Sequence, residues 1–292
     1  MCAAGWRAAG DTLRLPFQPT AVLGIVREIK GSLEESRRLL VGGAPAPAAE
    51  LRRQIVRDGD GSAVLDVSGR VLSARDLTHT DLLLYLVEGL APTPADEEVL
   101  RFASRRGVHA ICVLIGAADP LPQVPYVLAT DVIGVAAGQE PPFDRIAERV
   151  AARLGRRGHV LAARLPSLRP AIVRAIVKAF ARENGAIGAA VFVPGADLPL
   201  LTLNQLRMVL RIAAAHGENL GRERALEIGS VTGAAFGFRA IARQLAGLVP
   251  GPGWVYKGGV AYAGTRALGE AAIVYFETGA ASSLSDAVRS RS

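Results

Sequence analysis

The stretch DLLLYLVEGLAPTPADEEVLRFASRRGVHAICVLIG (residues 81–116) predicts the fold of the N-terminal half of this chain. It begins with an apolar run of strand length, Asp81–Glu88, and ends with another, Val108–Gly116. Between them, Thr93 and Pro94 are typical of a helix start, and acidic residues follow at the positive end of the helix dipole. Because both runs are almost continuously apolar, we expect parallel strands that are covered on both faces.

The same alternation continues on both sides of this stretch. Apolar runs of strand length alternate with helical segments, and Gly, Pro or Asp residues separate them. The further strands are expected at Arg38–Gly43, Ser62–Ser68 and Tyr126–Val135, and the further helices at Ala46–Asp58 and Phe143–Leu154. This alternation indicates a three-layer parallel-sheet α/β domain over residues 38–160.

The segment before this domain has the pattern of an amphipathic helix. Apolar residues recur at helical spacing from Val22 onward, with charged residues between them. The pattern predicts a helix over residues 21–37. Residues 1–20 and 281–292 are rich in small, polar and charged residues, and we expect both ends to be disordered.

Beyond residue 160 the pattern is helical. Four helical segments with Pro or Gly between them are expected at Leu168–Asn184, Asp197–His216, Arg222–Val249 and Trp254–Glu277. Residues 161–280 are therefore predicted to form an apolar helical bundle rich in Gly and Ala. Gly229, Gly233 and Gly237 share one helix face, which suits close packing either in a water-soluble bundle or in lipid.

The stretch IGAAVFVPGADLPLLTLNQLRMVLRIAAAHG (residues 187–217) raises the question of a membrane. Asp197 is the only charged residue from Asn184 through Leu206, but Pro194 and Gly195 interrupt the apolar run. The run is too interrupted for an ordinary transmembrane helix. An acid in such a run is a functional candidate if the run lies in lipid. Asp197 is also a normal helix N-cap, and we favour that interpretation.

Composition narrows the classes of function. The net charge is +7, and only three of the 34 basic residues are lysines. Because no arginine run is interleaved with aromatic residues, nucleic acid is not an expected partner, whereas an anionic membrane surface fits the basic surplus. The first residues lack the apolar core of a secretory signal, and Cys2 and Cys112 do not suggest a disulfide framework. We therefore expect a cytoplasmic location.

The turn after the first strand is where a phosphate-binding loop would lie. It reads GGAPAPAA (residues 42–49) and contains neither the Lys nor the Ser or Thr that bind phosphate and magnesium. Its two prolines also remove backbone N–H donors. If a nucleotide is retained, the candidate binding residues are Gly42, Gly43 and Asp119. Asp119 is included because it follows a strand at the position where a GTP-binding domain has the Asp that recognises guanine. We expect the glycines to form a structural turn.

A second Gly-rich segment, PGPGWVYKGG (residues 250–259), follows a helix rather than a strand. Lys257 invites comparison with a phosphate-binding loop, but Tyr256 and Gly258 replace the Gly and the hydroxyl residue. We predict an interhelical turn with Trp254 packed against the bundle. The four histidines are far apart and no nucleophile motif occurs, so no metal, cofactor or catalytic residue is expected.

Residues 180–217 and 248–279 resemble the uncharacterised bacterial domain family found after Era-like GTPase domains. The resemblance is carried by Asn184-Gly185, Pro194, Asp197, Leu203-Asn204-Gln205 and Tyr262-Ala263-Gly264-Thr265. It implies a degenerate GTPase-like domain fused to a membrane-associated helical domain, and it brings no enzyme mechanism. Within these blocks we select the candidates for contact with a membrane or a partner, which are Asp197, Asn204, Gln205, Trp254 and Lys257.

Three functions remain open at this point. We favour a non-catalytic, pseudo-GTPase-like module that binds or scaffolds at the inner face of the cell membrane, through a protein partner or an anionic membrane surface, with homo-oligomers as an option. The first alternative is a nucleotide-binding or GTPase-type enzyme with a non-standard phosphate site, in which Arg52, Arg53 and Asp119 act. The second is an integral membrane protein with short or re-entrant segments, such as Ala186–Leu206.

Overall fold

The computed structural model describes residues 19–35, 37–117, 120–190, 198–221 and 253–278. Within these residues the chain forms one five-stranded sheet with helices packed on both faces. The strands are β1 (Arg38–Gly43), β2 (Val64–Asp66), β3 (Thr80–Glu88), β4 (His109–Ile115) and β5 (Val132–Val135). The helices are α1 (Pro19–Glu34), α2 (Pro45–Val56), α3 (Pro94–Arg105), α4 (Phe143–Leu154), α5 (His159–Arg164), α6 (Arg169–Ala190), α7 (Leu198–Ala215) and α8 (Gly253–Glu277).

All neighbouring strands pair in parallel, in the order β2-β1-β3-β4-β5. The register places Val41 opposite Leu84 and Leu84 opposite Ile111, so apolar side chains run across the middle of the sheet. This is the strand order of a flavodoxin-like doubly wound sheet, in which the direction of winding reverses between β1 and β3. The predicted parallel α/β sheet is confirmed.

The predicted start of α3 is confirmed in detail. The Thr93 hydroxyl accepts a hydrogen bond from the Asp96 backbone N–H, and the Asp96 carboxylate accepts one from the Thr93 N–H at 2.8 Å. Pro94 occupies the first turn, where it costs no hydrogen bond. This capping box anchors α3 directly after the end of β3.

The second strand is shorter than the predicted Ser62–Ser68. Asp60 caps a short 3-10 turn over residues 61–63 by accepting a hydrogen bond from the Ser62 N–H. At the other end, the Asp66 carboxylate accepts hydrogen bonds from the backbone N–H and the hydroxyl of Ser68. These local bonds compete with strand pairing, so only three residues remain in β2.

The fifth strand is also shorter than the predicted Tyr126–Val135. Tyr126 has a φ of +65°, outside the extended region, and residues 129–131 form a 3-10 turn. Asp131 is buried in this turn and pairs with Arg153 of α4 at 2.6 Å. The ion pair holds the turn against α4, and the extended strand begins only at Val132.

The two faces of the sheet pack against different parts of the chain. On one face, α3 and the loops after β2 and β4 cover Leu83, Tyr85 and Cys112. On the other face, α2 and α4 cover Leu84 and Ile111, and the same core continues into α1, α6, α7 and α8. The helical region and the sheet therefore share one hydrophobic core.

In the helical region, α6 and α8 form an antiparallel pair in which glycines bring the helices close together. A Cβ atom added to Gly258 would lie 2.9 Å from the Gly185 carbonyl oxygen, and one added to Gly269 would lie 2.5 Å from Cγ2 of Val177. Both distances are too short for a Cβ atom, so only glycine fits at these two positions without movement of the helices. Outside the described residues lie the predicted helix 222–249 and its glycines Gly229, Gly233 and Gly237.

Gly269→Ala is expected to lower the free energy of unfolding by about 1–2 kcal/mol, even though Ala is the better helix former. The added methyl group would overlap both γ-carbons of Val177, at 2.5 and 2.6 Å, so the two helices must move apart. Urea denaturation measures the change. Val177→Ala in the same chain should recover part of the loss, because it removes the overlapping atoms.

Gly259→Ala is the matched control on the same helix. A Cβ atom at Gly259 meets nothing within 4 Å, so this variant keeps the gain in helix propensity and should be more stable than the wild type by up to about 1 kcal/mol. If Gly269→Ala stabilised the protein as much as Gly259→Ala does, the close contact between α6 and α8 would be contradicted.

Candidate functional site

A groove of about 860 Å³ opens at the carboxyl edge of the sheet, next to the ends of β1 and β3. The chain leaves β1 for α2 on one face and leaves β3 for α3 on the other. In doubly wound sheets, ligands bind outside the carboxyl ends of the strands at this reversal. We take this carboxyl-edge groove as the candidate site. Its lining includes Gly43, Val67, Arg70, Tyr85, Asp96 and Phe102.

One wall of the carboxyl-edge groove is formed by β3 and the start of α3. The Tyr85 hydroxyl donates a hydrogen bond to Oδ1 of Asp96 at 2.9 Å, while Oδ2 of Asp96 caps α3. Burial, reinforced by the negative charge of Asp96, raises the pKa of Tyr85 well above its ordinary value. The phenol therefore stays protonated, and the polar groups of this wall are paired with each other.

The opposite wall is the loop after β2. Arg70 donates two hydrogen bonds to the carboxylate of Asp76, at 2.8 and 3.0 Å, and Asp76 also accepts bonds from the N–H and hydroxyl of Ser73. The pKa of Asp76 lies well below its usual range, mainly because of its hydrogen bonds with the Arg70 guanidinium. Asp76 thus fixes Arg70 at the groove and neutralises its charge.

Apolar side chains lie between these walls, and charges of both signs lie around them. Val67, Leu72, Val99 and Phe102 contribute the apolar part of the lining, and Val71 beside them is 90% exposed. The charged residues of the lining, besides Arg70 and Asp96, are Glu88, Glu98, Arg101 and Arg105. The groove therefore offers an apolar surface with a mixed rim and no concentration of positive charge.

The turn between β1 and α2 does not present a phosphate cradle. The Ala44 N–H donates to the Leu86 carbonyl at 2.8 Å, the Ala48 N–H donates to the Ala44 carbonyl at 3.1 Å, and the two prolines of the turn have no N–H. From residue 44 to residue 48, only Ala46 keeps an N–H outside these bonds. A phosphate-binding loop needs several converging N–H groups, so this turn is poorly suited to the task.

Packing accounts for Gly42 and Gly43, the two glycines predicted to bind a nucleotide if one is retained. Gly43 has a φ of +95°, and a Cβ atom there would lie 1.9 Å from the Leu86 carbonyl oxygen. A Cβ atom on Gly42 would lie 2.9 Å from Cγ2 of Val67. The structural turn that we predicted from the sequence agrees with this geometry. Asp119, the third candidate, lies outside the described residues.

The predicted contact residues Asn204 and Gln205 lie inside the helical bundle, where they are 3% and 5% exposed. The Asn204 amide donates to Oδ1 of Asn184 at 3.1 Å, and the Gln205 amide donates to the Thr265 hydroxyl at 2.7 Å. The Asn184 amide donates to the same hydroxyl at 2.9 Å. This buried network joins α6, α7 and α8, and such burial gives no support to a surface contact by Asn204 or Gln205.

Asn184 and Thr265 belong to this network although they were not among the predicted site residues. Both are fully buried, and the Thr265 hydroxyl donates a hydrogen bond to the Ala261 carbonyl at 2.8 Å. The signal in the sequence is a polar residue within an apolar run on each of three helices. The helix pairing that brings these residues together depends on the packing of α6 against α7 and α8, which the spacing of residues does not reveal.

The remaining contact candidates are only partly described. Asp197 lies outside the described residues, as do the side chains of Trp254 and Lys257. Their backbone belongs to α8, which begins at Gly253, so the predicted interhelical turn does not extend over residues 253–259. None of the helices in the described part of the chain combines the length and the apolar character needed to cross a bilayer.

The described residues give little support to metal binding or to catalysis by a cysteine thiol. No group of three or more His, Cys, Asp or Glu side chains in this part of the chain is placed to hold a metal ion. Cys112 lies buried in β4, where burial raises the pKa of its thiol to about 12. The thiol therefore stays protonated and is a poor nucleophile.

No protein-family model, curated protein or solved structure matches this chain. The likeness to the domain family found after Era-like GTPases therefore stays a prediction that rests on the residues quoted for it.

Proposed function

We propose that this protein is a non-catalytic, pseudo-GTPase-like module that binds a protein partner at the inner face of the cell membrane. The observation that carries the non-catalytic part is the hydrogen bond from the Ala44 N–H to the Leu86 carbonyl. It uses the first N–H group after β1, where a nucleotide phosphate would need a donor. The degenerate GTPase-like origin of the α/β domain is part of the same proposal.

The carboxyl-edge groove supports a protein partner better than a phosphate ligand. Its apolar lining, which includes Val67 and Phe102, lies between walls whose polar groups are already paired, and its outer charges have both signs. Protein interfaces combine an apolar centre with a polar rim in this way. The volume of about 860 Å³ accommodates a few side chains of a partner.

A nucleotide-binding enzyme that uses arginines in place of the usual Lys receives less support. Arg52 and Arg53 lie two turns into α2, about 10 Å along the helix from the turn after β1. The Arg52 Nε atom lies 3.4 Å from the Val64 carbonyl, at the first residue of β2, and Arg53 pairs with Glu50. Both side chains therefore have partners away from the carboxyl edge where a nucleotide would bind.

GTP, GDP or ATP at about 1 mM with magnesium is expected to leave the melting temperature of the protein unchanged. A nucleotide at 100 times its dissociation constant would add about 2.7 kcal/mol to the stability, which a thermal shift readily detects. A magnesium-dependent rise in melting temperature, or phosphate release that falls in Arg52→Ala or Arg53→Ala, would favour the enzyme. Free magnesium alone is the control for non-specific salt effects.

A further inference from the structure

The connection from β2 to β3 is a loop rather than a helix. Residues 67–79 contain no helix, although parallel strands are usually joined by one. Because β1 lies between β2 and β3 in the sheet, this loop passes over β1. It lies on the same face as α3, since Leu72 and Leu77 of the loop share a hydrophobic core with Leu100 of α3. Among the described residues no helix lies beside α3 over β1, and the carboxyl-edge groove opens there.

Helix α3 presents a stripe of side chains to the groove in addition to its buried side. The buried side, with Leu100 and Ala103, belongs to the core over the sheet. The stripe contains Ala95, Val99 and Phe102, which line the groove and are all at least partly exposed. Residues three and four apart lie on one side of a helix, where they form the surface on which a second helix packs. The apolar stripe of α3 is therefore suited to contact another helix.

The dimensions of the groove suit a single helix. Its lining follows α3 from Thr93 to Arg105, which is about 18 Å at 1.5 Å per residue, or a little over three helical turns. On the opposite wall Val71 is almost fully exposed, although the residues around it line the groove. An apolar side chain exposed at the border of an apolar groove is typical of a surface that a partner covers.

A segment bound in this groove must satisfy its own backbone hydrogen bonds. The strands under the groove, β1 and β3, are each paired on both sides, so they offer no free edge to an extended segment. The polar groups of the walls are already bonded, Tyr85 to Asp96 and Arg70 to Asp76. An extended segment would leave N–H and C=O groups unpaired against the apolar lining, whereas an α-helix pairs them internally.

Two exposed charges at the ends of the groove indicate the direction of a bound helix. Glu88 ends β3 and Arg105 ends α3, and both lie outside the ion pairs of the groove walls. They are at opposite ends of the groove, because α3 begins at the carboxyl edge of the sheet and runs back toward the start of β4. A carboxylate stabilises the N-terminus of a helix, and a cation stabilises its C-terminus. The helix that fits both charges begins at Glu88 and ends at Arg105, parallel to α3.

We propose that the carboxyl-edge groove binds one amphipathic α-helix of a partner protein, about three turns long, with its apolar side on Val99 and Phe102 and its axis parallel to α3. The proposal rests on the protein-binding role in the proposed function and names the form and the direction of the bound segment. This helix occupies the position of the crossover helix that is missing between β2 and β3, and it covers Val71. Its sequence carries an apolar residue at every third or fourth position.

Peptide display against the full-length protein tests this proposal. The probe is a library of random peptides of about 15 residues, which is long enough for three helical turns. Enriched peptides are expected to have apolar residues at helical spacing and to become helical on binding, as measured by circular dichroism. Val71→Asp should weaken their binding about 10-fold or more, because it places a charge in an apolar contact. Leu128→Asp changes an exposed apolar residue outside the groove lining and should bind the peptides like the wild type.

Disulfide trapping tests the direction of the bound helix. Each selected peptide carries a cysteine at one end, and the protein carries Leu90→Cys or Ser104→Cys in a Cys2→Ser background, which leaves Glu88 and Arg105 in place. Both positions are exposed, one near each end of the groove. A cysteine at the N-terminus of the peptide should react with Leu90→Cys, and one at the C-terminus with Ser104→Cys. The reverse pattern would overturn the direction inferred from the two charges.

The outcomes separate this proposal from the proposed function. Peptides that bind Val71→Asp as tightly as the wild type would exclude the groove but leave a protein-binding module. Enriched peptides without helical spacing would overturn the helix as the bound form. If no peptide is enriched, the protein-binding part of the proposed function falls together with this proposal, and the nucleotide experiment decides the non-catalytic part separately. The melting temperature of each variant identifies any that fails to fold.

Discussion

Gly43→Ala is expected to lower the free energy of unfolding by about 4 kcal/mol or more, which places it among the most damaging single changes available in this chain. The added Cβ atom would lie 1.9 Å from the carbonyl oxygen of Leu86, and the φ of +95° already disfavours any side chain. The carbonyl cannot move aside easily, because Leu86 belongs to β3 and its oxygen accepts the hydrogen bond from the Ala44 N–H. The pairing of β1 with β3 must open to relieve the overlap.

Gly69→Ala and Gly138→Ala separate the cost of the overlap from the cost of the backbone conformation. Gly69 and Gly138 also have positive φ values, +69° and +78°, but a Cβ atom there meets at most an ordinary contact. Each control should therefore lose only about 1–2 kcal/mol in urea denaturation. If Gly43→Ala loses no more stability than these controls, strand packing does not require Gly43. A ligand-binding role for the turn would then be supported again.

Much of the α/β part could be predicted from the sequence because its signals are local. The apolar runs at Asp81–Glu88 and Val108–Gly116 coincide with two central strands that are buried on both faces. The start of α3 follows from Thr93 and Pro94, whose effect is confined to one helical turn. Such features need no knowledge of distant contacts.

Features that depend on competing or distant contacts were predicted less well. The strands β2 and β5 are shorter than expected because side chains such as Asp66 and Asp131 form local bonds that an apolar pattern does not reveal. The carboxyl-edge groove depends on Tyr85, Asp96 and Arg70, which come from three separate segments. Asn204 and Gln205 were predicted as candidates for contact with a membrane or a partner, but both are buried, and their burial depends on the partners Asn184 and Thr265 on two other helices.

A buried histidine at the junction between α1 and the helical bundle makes the stability of the fold depend on pH. His159 is 2% exposed at the start of α5, with its Nε2 atom 2.9 Å from the Ser32 hydroxyl of α1 and its Nδ1 atom 3.1 Å from the Arg156 carbonyl. Burial lowers the pKa of His159 to about 4, and the nearby charge of Arg211 acts in the same direction, while Glu28 and the Arg156 carbonyl oppose it. The imidazole is therefore neutral in the folded protein at neutral pH.

Acidification from pH 6.5 to pH 4 is expected to remove about 3 kcal/mol of stability through His159 alone. Above pH 6.5, the ordinary pKa, the imidazole is neutral in both the folded and the unfolded chain, so it contributes no pH dependence. Between pH 6.5 and 4 the unfolded chain binds a proton that the folded chain does not, and stability falls as the pH falls. Below about pH 4 both states are protonated and the loss stops growing.

The free energy of unfolding of the wild type and of His159→Gln, measured in urea at several pH values from 7.5 to 4, isolates this effect. Two carboxyl groups also affect how stability depends on pH. Burial raises the pKa of Asp81, which acts on stability in the direction opposite to His159, and Asp60, with a pKa of about 2, affects stability only at lower pH. Both titrate in the two proteins alike, so the difference between the curves belongs to His159. The gap should change by about 3 kcal/mol across this range, whereas the exposed His109→Gln should follow the wild type. Parallel curves for the wild type and His159→Gln would mean that His159 takes up its proton without loss of the fold, and the packing of α1 on the bundle at Ser32 would need revision.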